Sequence, residues 1–488
     1  MKRKFIVNLI FLLFLNLLIK PFWIFGVERG VQNAVGTENF GLYFSLFNFS
    51  YILNIILDLG ITNFNNKNIA QNPNILSKYV SNIVTLRILL GIIYTIIALS
   101  IGLILGYDSQ QMLILGILAF NQFLISFTLY LRSNISGLQM FKTDSVLSIL
   151  DRFLMIVFCG ILLWGNVTEE KFKIEWFVLC QTIAYLLTFI TALTIVLRQT
   201  TFFKFNFNYK FFLVFLRQSY PYALLTLLMV FYNKIDSVML ERLLENGKEQ
   251  AGIYAQAFRI TDVTTMFSCL FAVLLLPMFA KMIKDKENVE GLTKLSFVIL
   301  IIPAIVIVNI CLFFNLDIMT LMYKEHFNDS APILGILMIG FLGISTSYIF
   351  GTLLTANGNL KYLNIMAACG MVLNITLNFI LIPKFHVKGA AIASMTTQIL
   401  TSIAQVIIAK FVFNFKINYK LLFQLGIFIL IITVLSYFLH FYGITWYYSA
   451  LIIIVVGILL SFALRLLKLK EIFGLLLNGE RDEFRIEN

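Results

Sequence analysis

Long apolar stretches recur along the whole chain and constrain its fold more than any other feature. Stretches of about twenty residues, enough to cross roughly 30 Å of hydrocarbon, occur fourteen times in the 488 residues. The stretches are continuous and do not alternate in polarity, so they indicate helices and not a membrane β-barrel. We predict an all-α polytopic membrane protein with about 14 transmembrane helices. The predicted spans lie near residues 5–27, 40–60, 82–105, 111–131, 145–165, 174–197, 212–240, 251–280, 295–315, 331–355, 362–382, 389–413, 421–441 and 445–467.

The composition leaves no room for a large soluble domain. Hydrophobic residues make up 60% of the chain and charged residues 13%, whereas a soluble domain has about 45–50% and 25%. The sequence contains no Gly-x-x-x-x-Gly-Lys-Ser/Thr phosphate-binding loop. Gly247-Lys248 is followed by Glu249 and not by serine or threonine. We therefore expect a protein that is not an enzyme and has no catalytic residues.

The basic residues are distributed unequally between the two sides of the predicted membrane. Of the 37 lysines and arginines, 25 fall on the side of the amino terminus, 8 on the other side and 4 within spans. Basic connections stay cytoplasmic, so we predict a multi-pass membrane protein with both termini in the cytoplasm. The net charge of +12 is then explained by attraction to anionic lipid, and we expect no nucleic-acid partner.

Two short echoes indicate an internal repeat. The motif Glu-x-x-Gly-x-Tyr begins at Glu38 and again at Glu249, and Phe141-Lys142 is echoed by Leu360-Lys361. Transporters built from parallel repeats bind their substrate between the two halves. The predicted divisions are a six-helix bundle at 1–205, a second at 212–413, two further transmembrane helices at 421–468 and a cytoplasmic tail at 469–488.

Several charged residues fall inside the predicted spans, where each costs roughly 2.5–3.5 kcal/mol on insertion scales. Lys20 lies in the first span, Lys234 and Asp236 in the seventh, and Arg259 and Asp262 in the eighth. The last four are predicted to lie at a similar depth, as an interhelical salt-bridge lock or as a cavity site. A ligand with negative charge would explain cations so far from the cytoplasmic surface.

Charges also occur at the ends of spans. Arg29 ends the first span, and Asp58 ends the second, where a solvated helix end competes with an ion-coupling role. Arg152 follows Asp151 in the fifth span, as an internal pair or as part of a cavity. We expect three further arginines to snorkel at the inner interface: Arg87, Arg132 and Arg217.

The cysteines and histidines show no ligand pattern. Five cysteines and three histidines are widely spaced, so we predict neither a disulfide framework nor a metal site. No cofactor is expected, apart from a coupling Na⁺ or H⁺ with Asp236, Asp262 and Asp58 as candidate carriers.

Three patches resemble one transporter family. The segment 374–394, which includes Asn374, Asn378, Pro383 and Gly389, is similar to the "N..LN..LIP..G..GAAIAT" signature of Wzx-type O-antigen flippases. The segments 236–255 and 35–43 are similar in order and spacing. One departure is a histidine at position 386, where the family often has glycine.

The resemblance implies the fold of the multidrug/oligosaccharidyl-lipid/polysaccharide (MOP) exporters, with two pseudosymmetric six-helix bundles and two C-terminal helices. It implies flipping of an oligosaccharide on a polyprenyl diphosphate across the bacterial inner (cytoplasmic) membrane by alternating access. A glycan polymerase and glycosyltransferases are further candidate partners. Arg29 and Arg259 stand where relatives carry basic residues that bind the diphosphate. Lys234, Lys20 and Arg152 are substrate-binding candidates on the physical argument alone.

Three alternatives remain open at this point. An ion-coupled drug exporter of the MATE type and a lipid II flippase share the predicted fold. A membrane glycan polymerase or glycosyltransferase would need a large outer loop, and the longest outer connections, near 166–173, 241–250 and 316–330, are too short for one.

Overall fold

A computed structural model describes residues 18–467 except 20, 63–64, 66–68, 70–73, 75, 139, 166, 168–169, 206–208 and 417. The candidate Lys20 and the predicted tail 469–488 lie outside the described residues. Within the described part the chain is helical and contains no strand. The predicted all-α membrane fold is therefore confirmed.

Among the described residues, fifteen α-helices follow a π-helical segment at Trp23–Glu28. They are α1 (Arg29–Val35), α2 (Thr37–Ile52), α3 (Ile55–Asp58), α4 (Leu76–Ile104), α5 (Ser109–Gly137), α6 (Phe141–Trp164), α7 (Ile174–Gln199), α8 (Tyr209–Leu243), α9 (Gly247–Lys284), α10 (Glu290–Phe313), α11 (Asn315–Met322), α12 (Phe327–Ala356), α13 (Leu360–Phe413), α14 (Tyr419–Phe441) and α15 (Trp446–Ala463).

Eleven candidate membrane spans are found in the described part, so the exact count of 14 is not confirmed. Two predicted spans, 362–382 and 389–413, are counted together because α13 runs through both. The first predicted span, 5–27, lies mostly outside the described residues. The eighth, 251–280, lies within α9, a helix of 38 residues that is not among the eleven candidate spans.

Helix ends follow from local side-chain chemistry. Asp108 caps α5 by accepting a hydrogen bond from the Gln111 amide at 2.8 Å, while the Gln111 side chain accepts from the Asp108 amide at 2.9 Å. This reciprocal box satisfies two amides that a helix start otherwise leaves unpaired. Asn418 caps α14 in a similar way, through the Leu421 amide at 2.9 Å.

The second predicted span, 40–60, corresponds to one candidate span at Thr37–Asp58. Within it a turn at Leu53 and Asn54 separates α2, which ends at Ile52, from the single turn of α3. Leu59 then adopts a left-handed conformation with φ of 45°. The left-handed residue ends the helix, so Asp58 lies at a helix end.

A second break divides α13 at His386, which has φ of 51° and ψ of −132°. Only glycine adopts such a conformation without steric cost. His386 stands where the resembled family often has glycine. Its backbone conformation is one that favours glycine.

The chain falls into two compact units. Unit 1 comprises 1–259, 322–327 and 367–394, and unit 2 comprises 260–321, 328–366 and 395–488. The division into bundles at 1–205 and 212–413 stays a prediction.

Each unit has its own apolar core. In unit 1, Ile83, Phe127 and Val196 belong to a cluster that joins α4, α5 and α7. In unit 2, Ile305 and Phe428 belong to a cluster that joins α10, α14 and α15. Unit 1 contains the predicted site residues described below, apart from Asp262.

Candidate functional site

The two repeat motifs meet within unit 1. A Cβ added to Gly41 on α2 would lie 1.8 Å from the carbonyl oxygen of Lys248 and 2.5 Å from the amide nitrogen of Gly252. A Cβ added to Gly252 on α9 would lie 2.1 Å from the carbonyl oxygen of Thr37. The equivalent glycines of the two motifs thus let the backbones of α2 and α9 come into direct contact.

Arg259 follows the second motif on α9 and is almost fully buried, with 3% of its surface exposed. Its Nη1 donates to Gln32 Oε1 at 3.1 Å, and its Nε lies 3.4 Å from Glu28 Oε2. Its guanidinium also lies 3.9 Å from the centre of the Phe40 ring. A buried cation is therefore held by one carboxylate, one neutral amide and one aromatic face, and the Tyr323 hydroxyl also lies beside it.

The segment 322–325, which belongs to unit 1, is fastened to α1 and α2. Arg29 Nε and Asn33 Nδ2 both donate to the carbonyl oxygen of Met322, the latter at 3.0 Å. The amide and hydroxyl of Thr37 donate to Glu325 Oε2 at 3.0 and 3.1 Å. A backbone carbonyl thus holds the Arg29 side chain against this segment.

The same segment also contacts α9. Gln256 Nε2 donates to the carbonyl oxygen of Glu325 at 3.1 Å, and the Tyr323 hydroxyl donates to the carbonyl oxygen of Gln256 at 3.4 Å. Burial raises the pKa of the Tyr323 phenol, so this group stays protonated and remains a donor.

A cavity of about 380 Å³ opens beside Arg29, within the size range of small-molecule sites. Two cations, Arg29 and Lys324, line it together with the indole of Trp164, which is 57% exposed. The complete lining is Gly26, Arg29, Gly30, Asn33, Ala34, Leu163, Trp164 and Lys324. The cavity can hold an anionic group between cations and an apolar wall.

Arg152 lies elsewhere in unit 1. Its Nη1 donates to the Tyr185 hydroxyl at 3.1 Å, and its guanidinium lies 5.6 Å from the Trp23 ring centre. Asp151 lies 4.0 Å away, at the limit of an ion pair. The arginine is thus held mainly by two aromatic residues, which leaves both sequence interpretations open.

Asp236 is fully buried and surrounded by neutral donors. Its carboxylate accepts from the Tyr254 hydroxyl at 2.9 Å and from Asn378 and Asn374 at 2.7 and 3.2 Å. The Asn378 Oδ1 atom is buried and has no hydrogen-bond partner in the described part of the chain. The nearby Lys234 has its ammonium 4.4 Å from the Phe258 ring centre.

Asp236 is thus surrounded by neutral hydrogen-bond donors, whereas Arg259 is paired with a carboxylate. Asp262 lies one turn after Arg259 on α9 and is half-buried. Its predicted role, like that of the other site residues, stays a prediction.

The prediction that Arg87 snorkels is wrong. Its side chain is 1% exposed and forms an ion pair with Asp58. It also donates to Ser126 Oγ at 2.7 Å and to Thr62 Oγ1 at 2.8 Å. The half-buried carboxylate of Asp58, 29 positions earlier, pairs with the guanidinium, so the arginine does not need to reach water.

The remaining two arginines differ from each other. Arg132 donates to Asp144 at 2.7 Å in a half-buried ion pair, whereas Arg217 is exposed. Asp58 also lines a second cavity of about 240 Å³ with Asn54 and Thr62. Asp58 therefore pairs with Arg87 and also lines a cavity.

Sequence reasoning missed Glu28, Gln32 and Glu325 as site residues. Glu28 and Gln32 are four positions apart and so share a helical face, a spacing that marks them as joint partners of a cation. Glu325 lies in a connection, and no local pattern connects it with Thr37. Within the described residues, no group of three or more His, Cys, Asp and Glu could hold a metal ion.

Two family models and two known proteins match this sequence. A family model described as "Polysaccharide biosynthesis protein" matches residues 8–283, and the MatE model matches residues 221–380. The capsular polysaccharide biosynthesis protein CapF of Staphylococcus aureus is 27% identical over 185 residues, which cover 37% of this chain and 45% of CapF. The match therefore spans less than half of CapF. An uncharacterised membrane protein of Methanocaldococcus jannaschii is 26% identical over 388 residues, covering 75% of this chain and 88% of that protein.

Solved structures agree on the fold. The lipid II flippase MurJ in an inward closed conformation has a TM-score of 0.70 at 16% identity, covering 94% of this chain and 98% of MurJ. An inward-facing multidrug resistance transporter of the MATE family has a TM-score of 0.63 at 16% identity, covering 80% of this chain and 94% of that structure. This multi-pass membrane protein has the fold of the MOP superfamily, and the chain belongs to the polysaccharide biosynthesis protein family.

Proposed function

We propose that this protein flips a polyprenyl-diphosphate-linked oligosaccharide across the bacterial inner membrane by alternating access. The substrate would serve the synthesis of a surface polysaccharide such as O-antigen, capsule or exopolysaccharide. Family membership and the MOP fold support a transporter. Glycosyltransferases that build the glycan and a polymerase that consumes it are the expected partners in the membrane.

The observation that carries this proposal is the cationic cavity of unit 1. Arg29 and Lys324 line it, and Arg259 lies buried nearby, held by Glu28 of the preceding π-helical segment. Phosphate groups are bound most strongly by charge-assisted hydrogen bonds, and the planar guanidinium offers two parallel donors for them. The exposed indole of Trp164 adds a wall against which a sugar ring can pack.

The direction of transport follows from electrostatics. Moving one negative charge out of a cell with a negative interior gains about 2.3 kcal/mol per 100 mV. A diphosphate therefore moves outward with the membrane potential, so transport does not require an ATPase in this chain.

We further propose that Asp236 carries the coupling ion. A fully buried carboxylate with three neutral donors has no described cation to balance its charge. An unbalanced charge in a membrane span is costly, and the unpartnered Asn378 Oδ1 offers a further oxygen ligand. Binding of Na⁺ or a proton at Asp236 would remove the charge.

The test is complementation of surface glycan export in a strain that lacks this gene. Arg29→Ala is expected to reduce export strongly at unchanged protein level, because the cavity loses the cation that a backbone carbonyl keeps in place. Arg198→Ala, which removes an exposed arginine of α7, is the matched control and should export normally. Equal export by both variants would contradict the proposed site.

The MatE match over 221–380 favours a second candidate, export of drugs. Overexpression would then raise drug resistance, and deletion would leave the surface glycan intact. A lipid II flippase would instead be revealed by loss of viability on deletion. The proposed function predicts neither result.

A further inference from the structure

We propose that Glu28 is an internal counter-ion of Arg259 that the substrate's diphosphate replaces during transport. This inference rests on the proposed function and extends the site from the cavity to the buried Arg259, whose partner Glu28 directly precedes the cavity residue Arg29. It assigns Glu28 a positioning role: the carboxylate keeps the buried guanidinium in place while no anion is bound, and gives it up when one arrives.

The ion pair between Glu28 and Arg259 is long. The Nε–Oε2 distance between Arg259 and Glu28 is 3.4 Å, whereas a strong charge-assisted hydrogen bond is about 2.7–2.9 Å long. Arg259 Nη1 is occupied by the neutral Gln32. Its Nη2 atom is buried and has no hydrogen-bond partner in the described residues. The guanidinium therefore keeps donor capacity that Glu28 and Gln32 do not use.

Glu28 also lies close to more than one arginine. Glu28 precedes Arg29 directly and is within electrostatic reach of Arg152 as well as Arg259. Asp151 lies at the limit of ion pairing with Arg152 and faces neither of the others in the described ion pairs. Glu28 is thus shared between Arg259 and Arg152, and a bound diphosphate would add negative charge for both.

The groups that face Glu28 come from several elements. Besides Arg259 on α9 and Arg152 on α6, they include Tyr43 on α2, Tyr185 on α7 and Tyr323 of the segment 322–325. Neutral phenols tolerate either a carboxylate or a phosphate beside them. Exchange of one anion for the other therefore needs no change in their protonation.

Arg259 also needs a counter-ion when no substrate is bound. Glu28 is the only carboxylate in an ion pair with Arg259 among the described residues. A buried arginine that loses such a partner is strongly destabilised, so Arg259 needs Glu28 when no substrate is present. With a diphosphate bound, two anions would compete for one guanidinium. Return of Glu28 to Arg259 then helps to expel the substrate, which links the carboxylate to release rather than to binding.

The experiment compares binding with turnover in the purified full-length protein. Affinity for geranylgeranyl diphosphate is measured by calorimetry in detergent, and flipping is measured with NBD-labelled polyprenyl diphosphate in proteoliposomes. Removal of one nearby negative charge in Glu28→Gln should lower the Kd at least about fivefold, even if the charges interact as weakly as in water. The same variant should flip more slowly at saturating substrate, because release is impaired.

Two further variants serve as controls. Glu28→Asp keeps the charge and should restore both parameters toward wild type. Glu38→Gln removes an exposed glutamate of α2 and should change neither. This opposite shift of affinity and turnover is not expected of a residue that only holds helices together.

Two results would overturn the inference, and they can be told apart. If wild type binds the diphosphate but Glu28→Gln has an unchanged or weaker affinity, Glu28 is a structural ion pair and the proposed function stands. If the folded wild type neither binds nor flips the diphosphate, the proposed function fails and the inference fails with it.

Discussion

Gly41 offers a direct test of the crossing between the repeat motifs. Gly41→Ala would place a Cβ 1.8 Å from the carbonyl oxygen of Lys248, about 1.6 Å short of the ordinary contact distance of 3.4 Å. The obstructing atoms are backbone atoms of α9, including Gly252, so no side chain can rotate away. The two helices would have to separate.

The expected cost follows from two opposing effects. Overpacking of a tight contact costs about 1–3 kcal/mol, and the value should lie at the upper end because backbone must move. Alanine regains about 1 kcal/mol of helix propensity over glycine. We therefore expect Gly41→Ala to be destabilised by about 2 kcal/mol. Gly116→Ala on α5, whose Cβ would meet nothing within 4 Å, should be neutral or stabilised by about 1 kcal/mol.

The assay is thermal unfolding of the detergent-purified protein, followed by the loss of the monodisperse size-exclusion peak. A loss of 2 kcal/mol should lower the Tm of Gly41→Ala on the order of 4 °C, while Gly116→Ala should melt at or above the wild-type temperature. If the two variants melt together, α2 and α9 do not cross at these glycines.

Three further predictions follow from buried or strained residues. Arg87→Met should destabilise the protein by about 3–5 kcal/mol because it strands Asp58, and the double variant with Asp58→Asn should recover part of this loss; additive losses in the two single variants would argue against the ion pair. His386→Gly should raise stability by about 1 kcal/mol, because glycine relieves the positive φ, and an unchanged or lower Tm would show that the histidine is not strained. Asp236→Asn should abolish the dependence of flipping on an imposed Na⁺ or pH gradient, and a preserved dependence on both would exclude Asp236 as the carrier.

The sequence predicted the fold class well because membrane spans leave few choices. A backbone in hydrocarbon must satisfy its own hydrogen bonds, so a continuous apolar stretch becomes a helix. Helix breaks were harder to foresee. The bend at His386 and the left-handed Leu59 depend on packing around them, and neither residue type indicates a positive φ.

The sequence predicted the site in part. Charged residues inside spans drew attention to Asp236 and Arg259, because burial of a charge needs a reason. Their partners could not be predicted in the same way. Glu28 is 231 positions from Arg259, and Asn378 is 142 positions from Asp236. Arg87 was misinterpreted for the same reason, since its carboxylate lies on another helix.

The central claim is that the cationic cavity serves transport of a diphosphate lipid. The most direct measurement is flipping of NBD-labelled polyprenyl diphosphate in proteoliposomes with an imposed membrane potential, for wild type and for Arg29→Ala. The account predicts that wild-type flipping accelerates when the potential draws negative charge in the transport direction, and that Arg29→Ala flips far more slowly under every potential. Wild-type liposomes that flip no faster than protein-free liposomes, or equal rates for the two proteins, would contradict it.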